Sequence, residues 1–577
     1  MLFRDVLKID HGRNFNNGGK KLHKKTVEPL LKVIFLGGVG EIGKNMTALE
    51  FGEDIIIIDC GSTFPTSDTP GVDLIIPDPA YLLLNKDKIR GIVVTHGHED
   101  HIGSIPYFLK ECNVPVFGTR LTLALIENKL REQHIDNAKL NVVQPGNVVS
   151  LGRAFKVEFV KVSHSIAGSC ALSISTPVGV VFHTGDFKVD FTPIDGNMID
   201  LQRIAEIGRQ GVLLLLCEST NVERAGSSMS EATVGRSMRN IFNENKDRRL
   251  LIATFASNIH RLQQVIDLAA EFGRKVAFSG RSMINVAECA ARIGELRLDR
   301  SQIVDIEKVK NVDDKDLVIL TTGSQGEPMS ALTRMAADEF SKVKLGYNDT
   351  VILSAHPIPG NERMVYSVIN NIYRHGARVI YESLAELHVS GHACRDELSL
   401  MHALLKPQYF IPVHGEHRHL QKHAELAVAM GEQPSHIIIT DIGDCVYVSH
   451  KTFKIGEQVA AGSLLVDGLG VGDTDSTVLR DRKHLAEEGL LIAVICIDEL
   501  SGTVSAIDIT SRGFAYDTDG EDFFEKCRDD LHRILSGYDL RECNRNMLNN
   551  TIRKELKNYI FKKTRRNPMI LPMVIDC

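Results

Sequence analysis

Short apolar runs set the rhythm of the first part of the chain. Residues 33–36, 55–58, 92–94, 157–162, 178–182 and 213–216 are β-rich and of the length expected for buried strands, several of them closed by Gly or Asp. Helical periodicity is rarer there and clearest over 102–110 and 121–132. That mixture predicts a strand-rich, layered α/β domain. After Asn221 the spacing lengthens into alternation: a helix over 231–245, a strand at 250–254, a helix over 260–272, then strands near Val276 and Val318 and at 351–353 and 379–381. This is the pattern of a doubly wound unit. A histidine-rich segment follows. Beyond Gly456 the glycines at 462, 468, 470 and 472 predict loop, before a last strand-helix module over about 478–572.

Length and composition narrow the class. At 577 residues the chain exceeds what one hydrophobic core supports, roughly 250–300 residues. With 43% hydrophobic and 24% charged residues it has the composition of a globular protein. No apolar run approaches the roughly 20 residues of a membrane span, and the N-terminus lacks the apolar core of a secretory leader, so a cytoplasmic protein without a membrane partner is expected. The eleven cysteines include no Cys-x-x-Cys pair, which argues against a zinc ribbon or a disulfide framework. A net charge of −7 does not exclude a polyanionic substrate, because phosphate binding depends on local charge. Two local basic segments stand out. One is an N-terminal arm over 1–29, carrying Lys20, Lys21, Lys24 and Lys25; the other is the stretch 541–566, with nine basic and two acidic residues. Each reads either as a solvated face or as a track for a phosphate backbone.

The word LGGVGEIGKN at 36–45 contains Gly38-x-Gly40-x-x-Gly43 and a near-match to a phosphate-binding loop. Such loops need a hydroxyl after the lysine and a helix next, whose N-terminus faces the phosphates. Here Asn45 follows Lys44, and 46–51 reads as the first strand of a hairpin, so nucleotide binding is declined.

A stronger signal is Thr95-His96-Gly97-His98-Glu99-Asp100-His101, directly after the strand at 92–94. In an extended turn His96 and His98 project to one side, while Asp100 and His101 begin the next helix. Imidazole and carboxylate are ligands expected for zinc and acceptable to manganese. His164, Asp186 and His414 each lie just past an apolar run, where a strand end delivers a polar side chain to the rim of a sheet. His183 reads as a supporting residue, and His402, His417 and His419 as satisfied core or surface groups.

These seven positions together, His96, His98, Asp100, His101, His164, Asp186 and His414, resemble the signature of metallo-β-lactamase-fold hydrolases. The longer words TFASNIHRLQQ, TTGSQGEPMSAL, PIPGNE and HVSGHA extend the resemblance over 31–572 to the β-CASP nucleases of the bacterial ribonuclease J family. The resemblance implies an α/β fold class: a four-layer αββα sandwich over 30–220 and 378–455, an inserted β-CASP α/β domain over 221–377, a linker over 456–476 and a small α+β domain over 477–577. It implies two divalent metal ions per subunit, zinc before manganese or magnesium. His96, His98 and His164 would hold one and Asp100, His101 and His414 the other, with Asp186 between them and Asp59 orienting the site. It also implies cleavage of RNA, with His392, Glu218 and Asp100 as the catalytic residues, His392 being the proton donor held by Glu218. A pocket for a terminal 5′-monophosphate would be formed by His388, Ser390 and Gly391 together with His392.

The expected activity is 5′-to-3′ trimming of single-stranded RNA, with endonucleolytic cutting as a second mode, in mRNA decay and rRNA maturation. The expected assembly is a homodimer or homotetramer, or one shared with a paralogous subunit. The chain departs from the family in carrying Glu218 where Asp is usual, Ala355-His356 before PIPGNE, and GDTDST at 472–477. A small-molecule hydrolase would need about half this length, a DNA-directed relative usually carries valine at the position of His414, and an inactive scaffold would have lost ligands.

Overall fold

The computed structural model describes residues 28–577 apart from 67, 359, 382–384, 386, 515–519, 539 and 541–542. The basic N-terminal arm therefore lies almost wholly outside the described residues. Its last part is fixed where Glu28 Oε1 accepts a hydrogen bond from Ser449 Oγ at 2.7 Å.

Two β-sheets face each other. The first runs Phe453–Gln458, Asp444–Val448, Leu31–Gly37, Met46–Phe51, Asp54–Ile58, Ile89–Val93, Val116–Gly118 and Leu140–Val142. The second runs Tyr409–Val413, Leu214–Glu218, Gly179–His183, Cys170–Thr176, Phe155–Lys161 and Val148–Leu151. Side-chain alternation explains why the apolar runs are continuous. Ile56 and Ile58 point into the core between the sheets with Val157, Phe159 and Leu172. Ile55 and Ile57 point outward, under the helices that contribute Ile105, Phe108, Leu121 and Ile126. On the far side Phe182, Leu215 and Phe410 meet Ile204, Ile207 and Leu398. A strand buried on both faces must be apolar at every position, and the result is the expected αββα sandwich.

Between Leu214–Glu218 and Tyr409–Val413, which pair in parallel, the chain leaves to build a second unit. Its five parallel strands are ordered Lys275–Ser279, Leu317–Thr321, Arg249–Ala253, Asp349–Leu353 and Arg378–Ile380. Helices cover both faces, with Glu231–Glu244, Ile259–Glu271 and Arg281–Arg292 on one and Ala331–Ala336 and Glu362–Arg374 on the other. The insertion brings Tyr409–Val413 back beside a strand nearly two hundred residues earlier.

Three features differ from expectation. The helix foreseen over 102–110 is two, Glu99–Ile102 and Ile105–Glu111. Gly103 and Ser104 separate them, and Pro106 in the first turn of the second has no N–H with which to continue the first. The segment after Gly456 is not simple loop. Ser463–Asp467 pairs antiparallel with Leu74–Pro77, and Phe453–Gln458 forms the edge of the first sheet. Finally, the strand read at 213–216 runs over Leu214–Glu218, carrying Glu218 inside the sheet. At the C-terminus Val504–Arg512, Leu490–Ile497 and Met569–Asp576 form a sheet. Helix Arg545–Thr564 packs into the core beside it through Leu548, Ile552, Leu556 and Ile560, one residue per turn. Among the described residues no helix is long and apolar enough to cross a membrane.

Candidate metal centre

The sequence-derived site residues converge on one rim of the two facing sheets. Asp59 follows Asp54–Ile58, His96 to His101 follow Ile89–Val93, His164 follows Phe155–Lys161, Asp186 follows Gly179–His183, and His414 follows Tyr409–Val413. Asp59 and His414 adopt left-handed backbone angles, φ 58° and 52°, which turn the chain sharply as it leaves the sheet. The main chain at His414 is pinned by its N–H donating to Gly38 O at 2.7 Å. Gly61 lies so close to the Asp100 carbonyl that a Cβ there would sit 1.6 Å from its oxygen.

The ligand-type atoms form two adjoining groups. His98 Nδ1 lies 3.1 Å from both His96 Nε2 and His164 Nε2. Asp186 Oδ2 is 3.6 Å from His96 Nε2 and 3.8 Å from His164 Nε2. On its other side the same oxygen is 3.3 Å from His101 Nε2 and 3.5 Å from His414 Nε2. Asp100 Oδ2 lies 3.5 Å from His101 Nε2 and 3.1 Å from His414 Nε2.

Second contacts set which nitrogen is presented. His101 Nδ1 donates to Asp59 Oδ2 at 2.7 Å, His164 Nδ1 to the Gly391 carbonyl at 2.7 Å, and His414 Nδ1 to Thr220 Oγ1 at 2.8 Å. Each leaves Nε2 as a lone pair facing the group. Thr95 ties the arrangement together, its N–H donating to Asp59 Oδ1 and its hydroxyl to Asp59 Oδ2, both at 2.8 Å.

Charge states match a cation site. Burial drives the imidazoles of His96 and His164 well below their ordinary pKa, and that of His98 down to about 4, so they are neutral. Burial alone would raise Asp186 and Asp100, but the imidazoles around them, His414 and His101 foremost, hold both well below the usual carboxylate range. Burial disfavours charge on His101 and His414 as well, but Asp186 and Asp100 raise both above the ordinary imidazole value; a bound cation would take the place of those protons, since ionised carboxylates and neutral imidazoles are the forms that bind metal.

The spacing also fits. Four donors placed tetrahedrally about 2.0–2.1 Å from one cation stand about 3.3–3.4 Å apart. The contacts above, 3.1–3.8 Å, bracket that value, with His96, His98 and His164 in one cluster and Asp100, His101, Asp186 and His414 in the other. The centre binds divalent metal.

His392 and Glu218 stand beside it. His392 Nδ1 is 2.7 Å from Glu218 Oε2, and the ring centroid lies 5.0 Å from that of His164 and 5.4 Å from that of His414. Burial disfavours a charged ring at His392, but the Glu218 carboxylate, with smaller help from Asp186 and Asp100, pushes its pKa up to about 9. Glu218 Oε1 accepts the Phe187 N–H at 2.8 Å, so the carboxylate is fixed at both oxygens.

Next to this pair, Ser390 Oγ accepts from Asn221 Nδ2 at 2.7 Å and from the His392 N–H at 3.2 Å, leaving its own proton for another acceptor. Gly391 has no room for a side chain, since a Cβ would lie 2.6 Å from the His164 ring. Further back, burial and the neighbouring Arg261 push His388 down to about 3. His183 accepts the Gly185 N–H at 3.0 Å, on the turn that carries Asp186. His402, His417 and His419 join none of the ligand groups.

Three contributors were not foreseen. Thr220 and Asn221 lie in the word CESTN beside Glu218, and alternation along the chain after a strand was the signal available for them. Asn45 belongs to the glycine-rich word at 36–45. Its Nδ2 donates to Asp100 O at 3.0 Å and reaches His101 Nε2 at 3.2 Å, so that loop buttresses the metal centre.

Comparison with known proteins agrees with this architecture. Residues 39–198 match the metallo-beta-lactamase superfamily, and 247–372 match the ribonuclease J beta-CASP domain. Residues 376–438 match the Zn-dependent metallo-hydrolase RNA specificity domain, and 477–577 the ribonuclease J C-terminal domain. The chain is 42% identical over 492 residues to ribonuclease J of Synechocystis sp., covering 85% of this chain and 76% of that one. It is 41% identical over 553 residues to ribonuclease J of Thermus thermophilus, covering 95% of each. It is 38% identical over 558 residues to ribonuclease J2 of Bacillus subtilis, covering 96% of this chain and 100% of that one. A solved structure of a protein of unknown function from Enterococcus faecalis V583 shares the fold at TM-score 0.51 and 16% identity, covering 73% of this chain and 100% of that one.

Proposed function

Because the chain belongs to the ribonuclease J family of metal-dependent ribonucleases, we propose that it trims single-stranded RNA from a 5′-monophosphate end in the 5′-to-3′ direction. The observation that carries this reading is the segment 218–221. Glu218 holds His392, Thr220 holds His414, and Asn221 holds Ser390, so a phosphate-binding hydroxyl, a proton donor and a metal ligand hang from four consecutive residues.

His96, His98 and His164 would hold one divalent cation and Asp100, His101 and His414 the other, with Asp186 between. Two such cations would supply an activated water and neutralise charge on the scissile phosphate. Asp59 keeps the His101 ring in its working tautomer. Asp100 combines a ligand's role with a place at the open face of the centre, its side chain 28% exposed. His392, its Nδ1–H held by Glu218, presents Nε2 and gives a proton to the departing 3′-oxygen of the released nucleotide, leaving a new 5′-phosphate on the shortened RNA. The ribose–phosphate end docks against Ser390, Gly391 and His388, where hydroxyl and backbone N–H donors suit a dianion. A triphosphate overfills that position.

Chains that thread without a free end are cut internally as a second mode. Zinc is the expected ion, since imidazole dominates both groups, with manganese or magnesium able to substitute. The cellular setting we assign is mRNA decay and rRNA maturation in the cytoplasm, in a homodimer, a homotetramer or an assembly with a paralogous subunit. The basic helix Arg545–Thr564 serves as RNA track or subunit contact.

The test offers one RNA with a 5′-monophosphate, the same RNA with a 5′-triphosphate, and matching DNA, each with and without chelator. Mononucleotides should leave the first alone, and only without chelator. Equal release from all three would overturn the assignment of substrate end and of RNA over DNA.

A further inference from the structure

Behind the segment 218–221 lies a chain of polar side chains that the reaction does not use directly. Glu432 Oε1 meets His402 Nδ1 at 2.5 Å, His402 Nε2 meets His423 Nε2 at 3.1 Å, and His423 Nδ1 meets Ser219 Oγ at 3.0 Å. His402 is on helix Arg395–Leu405 and His423 on helix His417–Ala429, and both rings are buried, packed edge-on against Phe410. The Glu218 backbone carbonyl also faces the His423 ring. Only Glu432, its side chain 18% exposed, connects the chain to solvent.

Two neighbouring imidazoles in a core of this kind carry a desolvation cost that an apolar pair of the same volume would avoid. What the polar chain provides and an apolar pair cannot is a directional hold on Ser219. Side-chain direction alternates along 218–220. Glu218 and Thr220 turn toward the metal centre, while Ser219 turns away into the space between the two helices.

We infer that His423, backed by His402 and Glu432, is a positioning residue that clamps Ser219 from behind and so fixes the aim of Glu218 at His392 and of Thr220 at His414. The inference rests on the proton-donor role proposed above for His392 and Glu218. His423 touches no reacting atom. It acts through the backbone of 218–220, where a displacement of about an ångström can cost up to roughly a hundredfold in rate.

The test uses the full-length protein loaded with zinc and single-turnover cleavage of 5′-monophosphorylated RNA, with metal content and melting temperature measured on each variant. His423→Leu should fall roughly tenfold to a hundredfold in rate while retaining both metals. His423→Asn should recover most of the rate, because its amide lies where Nδ1 meets the serine hydroxyl. Should His423→Leu fail to fold, Ser219→Ala removes one oxygen from the same contact and should show the same loss. Full rate in His423→Leu or Ser219→Ala overturns the inference. So does equal slowing in the leucine and asparagine variants, or slowing in proportion to metal lost, either of which marks a purely structural pair. Glu218→Gln, run alongside, separates the two readings. If it alone is slow, the clamp fails; if it turns over normally, the role of Glu218 fails.

Discussion

Asp59→Asn is the perturbation whose outcome follows most directly from the geometry. Asp59 Oδ1 accepts the Thr95 N–H, and Oδ2 accepts both the Thr95 hydroxyl and His101 Nδ1–H, the last at 2.7 Å. Asparagine has nearly the same shape and tolerates the left-handed φ of 58° at this position, so the backbone has no reason to move. It keeps one acceptor, which the buried Thr95 N–H will claim. Its NH2 then confronts His101 Nδ1–H, donor against donor. The ring escapes by shifting its proton to Nε2, the atom 3.3 Å from Asp186 and 3.5 Å from Asp100, and the lone pair on which a cation depends is gone. Loss of such an outer hydrogen bond costs about 10- to 100-fold in metal affinity, or about 1.4–2.7 kcal/mol. Competition against a calibrated chelator, followed by metal analysis of the protein, should show one of the two ions leaving first while the ion beside His96, His98 and His164 stays. Turnover should return when metal is supplied in excess. Unchanged affinity for both ions would refute the tautomer argument.

Other outcomes follow from the same structure. His98→Ala should abolish turnover and lower metal content, since Nδ1 of His98 lies 3.1 Å from two other donors; full metal and full rate would exclude it as a ligand. Ser390→Ala should weaken the preference for a 5′-monophosphate over a triphosphate and leave metal content intact, as read from competing labelled substrates. Asp54 is a structural case. Burial would raise its pKa, but Arg90 at 2.6 Å and the N–H groups of Arg153 and Ala154 hold it below the ordinary aspartate value. Its folded pKa is thus depressed, so its contribution is present at neutral pH and lost on acidification below the ordinary aspartate range. Asp54→Asn should cost about 1–3 kcal/mol in thermal or denaturant melts at pH 7, and the gap should close in acid.

What could be read without coordinates, and what could not, divides along physical lines. Runs such as 55–58 announce themselves because both faces of the strand are buried, and a polar residue just past such a run is delivered to the rim. That is why His164, Asp186 and His414 could be named from sequence pattern and are brought together by the fold, whereas Asp59 was named by the family resemblance and stands behind His101. The strand Ser463–Asp467 was hidden because its partner, Leu74–Pro77, lies far away in sequence and the surrounding glycines read as loop. Asn45 was passed over because its word invites comparison with phosphate loops, whereas its work is to hold Asp100 and His101. His402 was read as a satisfied core histidine, and it is buried and hydrogen-bonded. That its partner His423 reaches Ser219 behind the catalytic segment is a fact of tertiary packing that no local pattern encodes.

In the proposed centre Asp186 would be shared between two cations. Anomalous diffraction from crystals of the active enzyme would test this, with data collected on either side of the absorption edge of the ion found by metal analysis. Two peaks are predicted, each with an Asp186 oxygen at about 2.0–2.2 Å, one among His96, His98 and His164 and the other among Asp100, His101 and His414. Active protein with no peak at this rim, or with peaks that Asp186 does not touch, would contradict it.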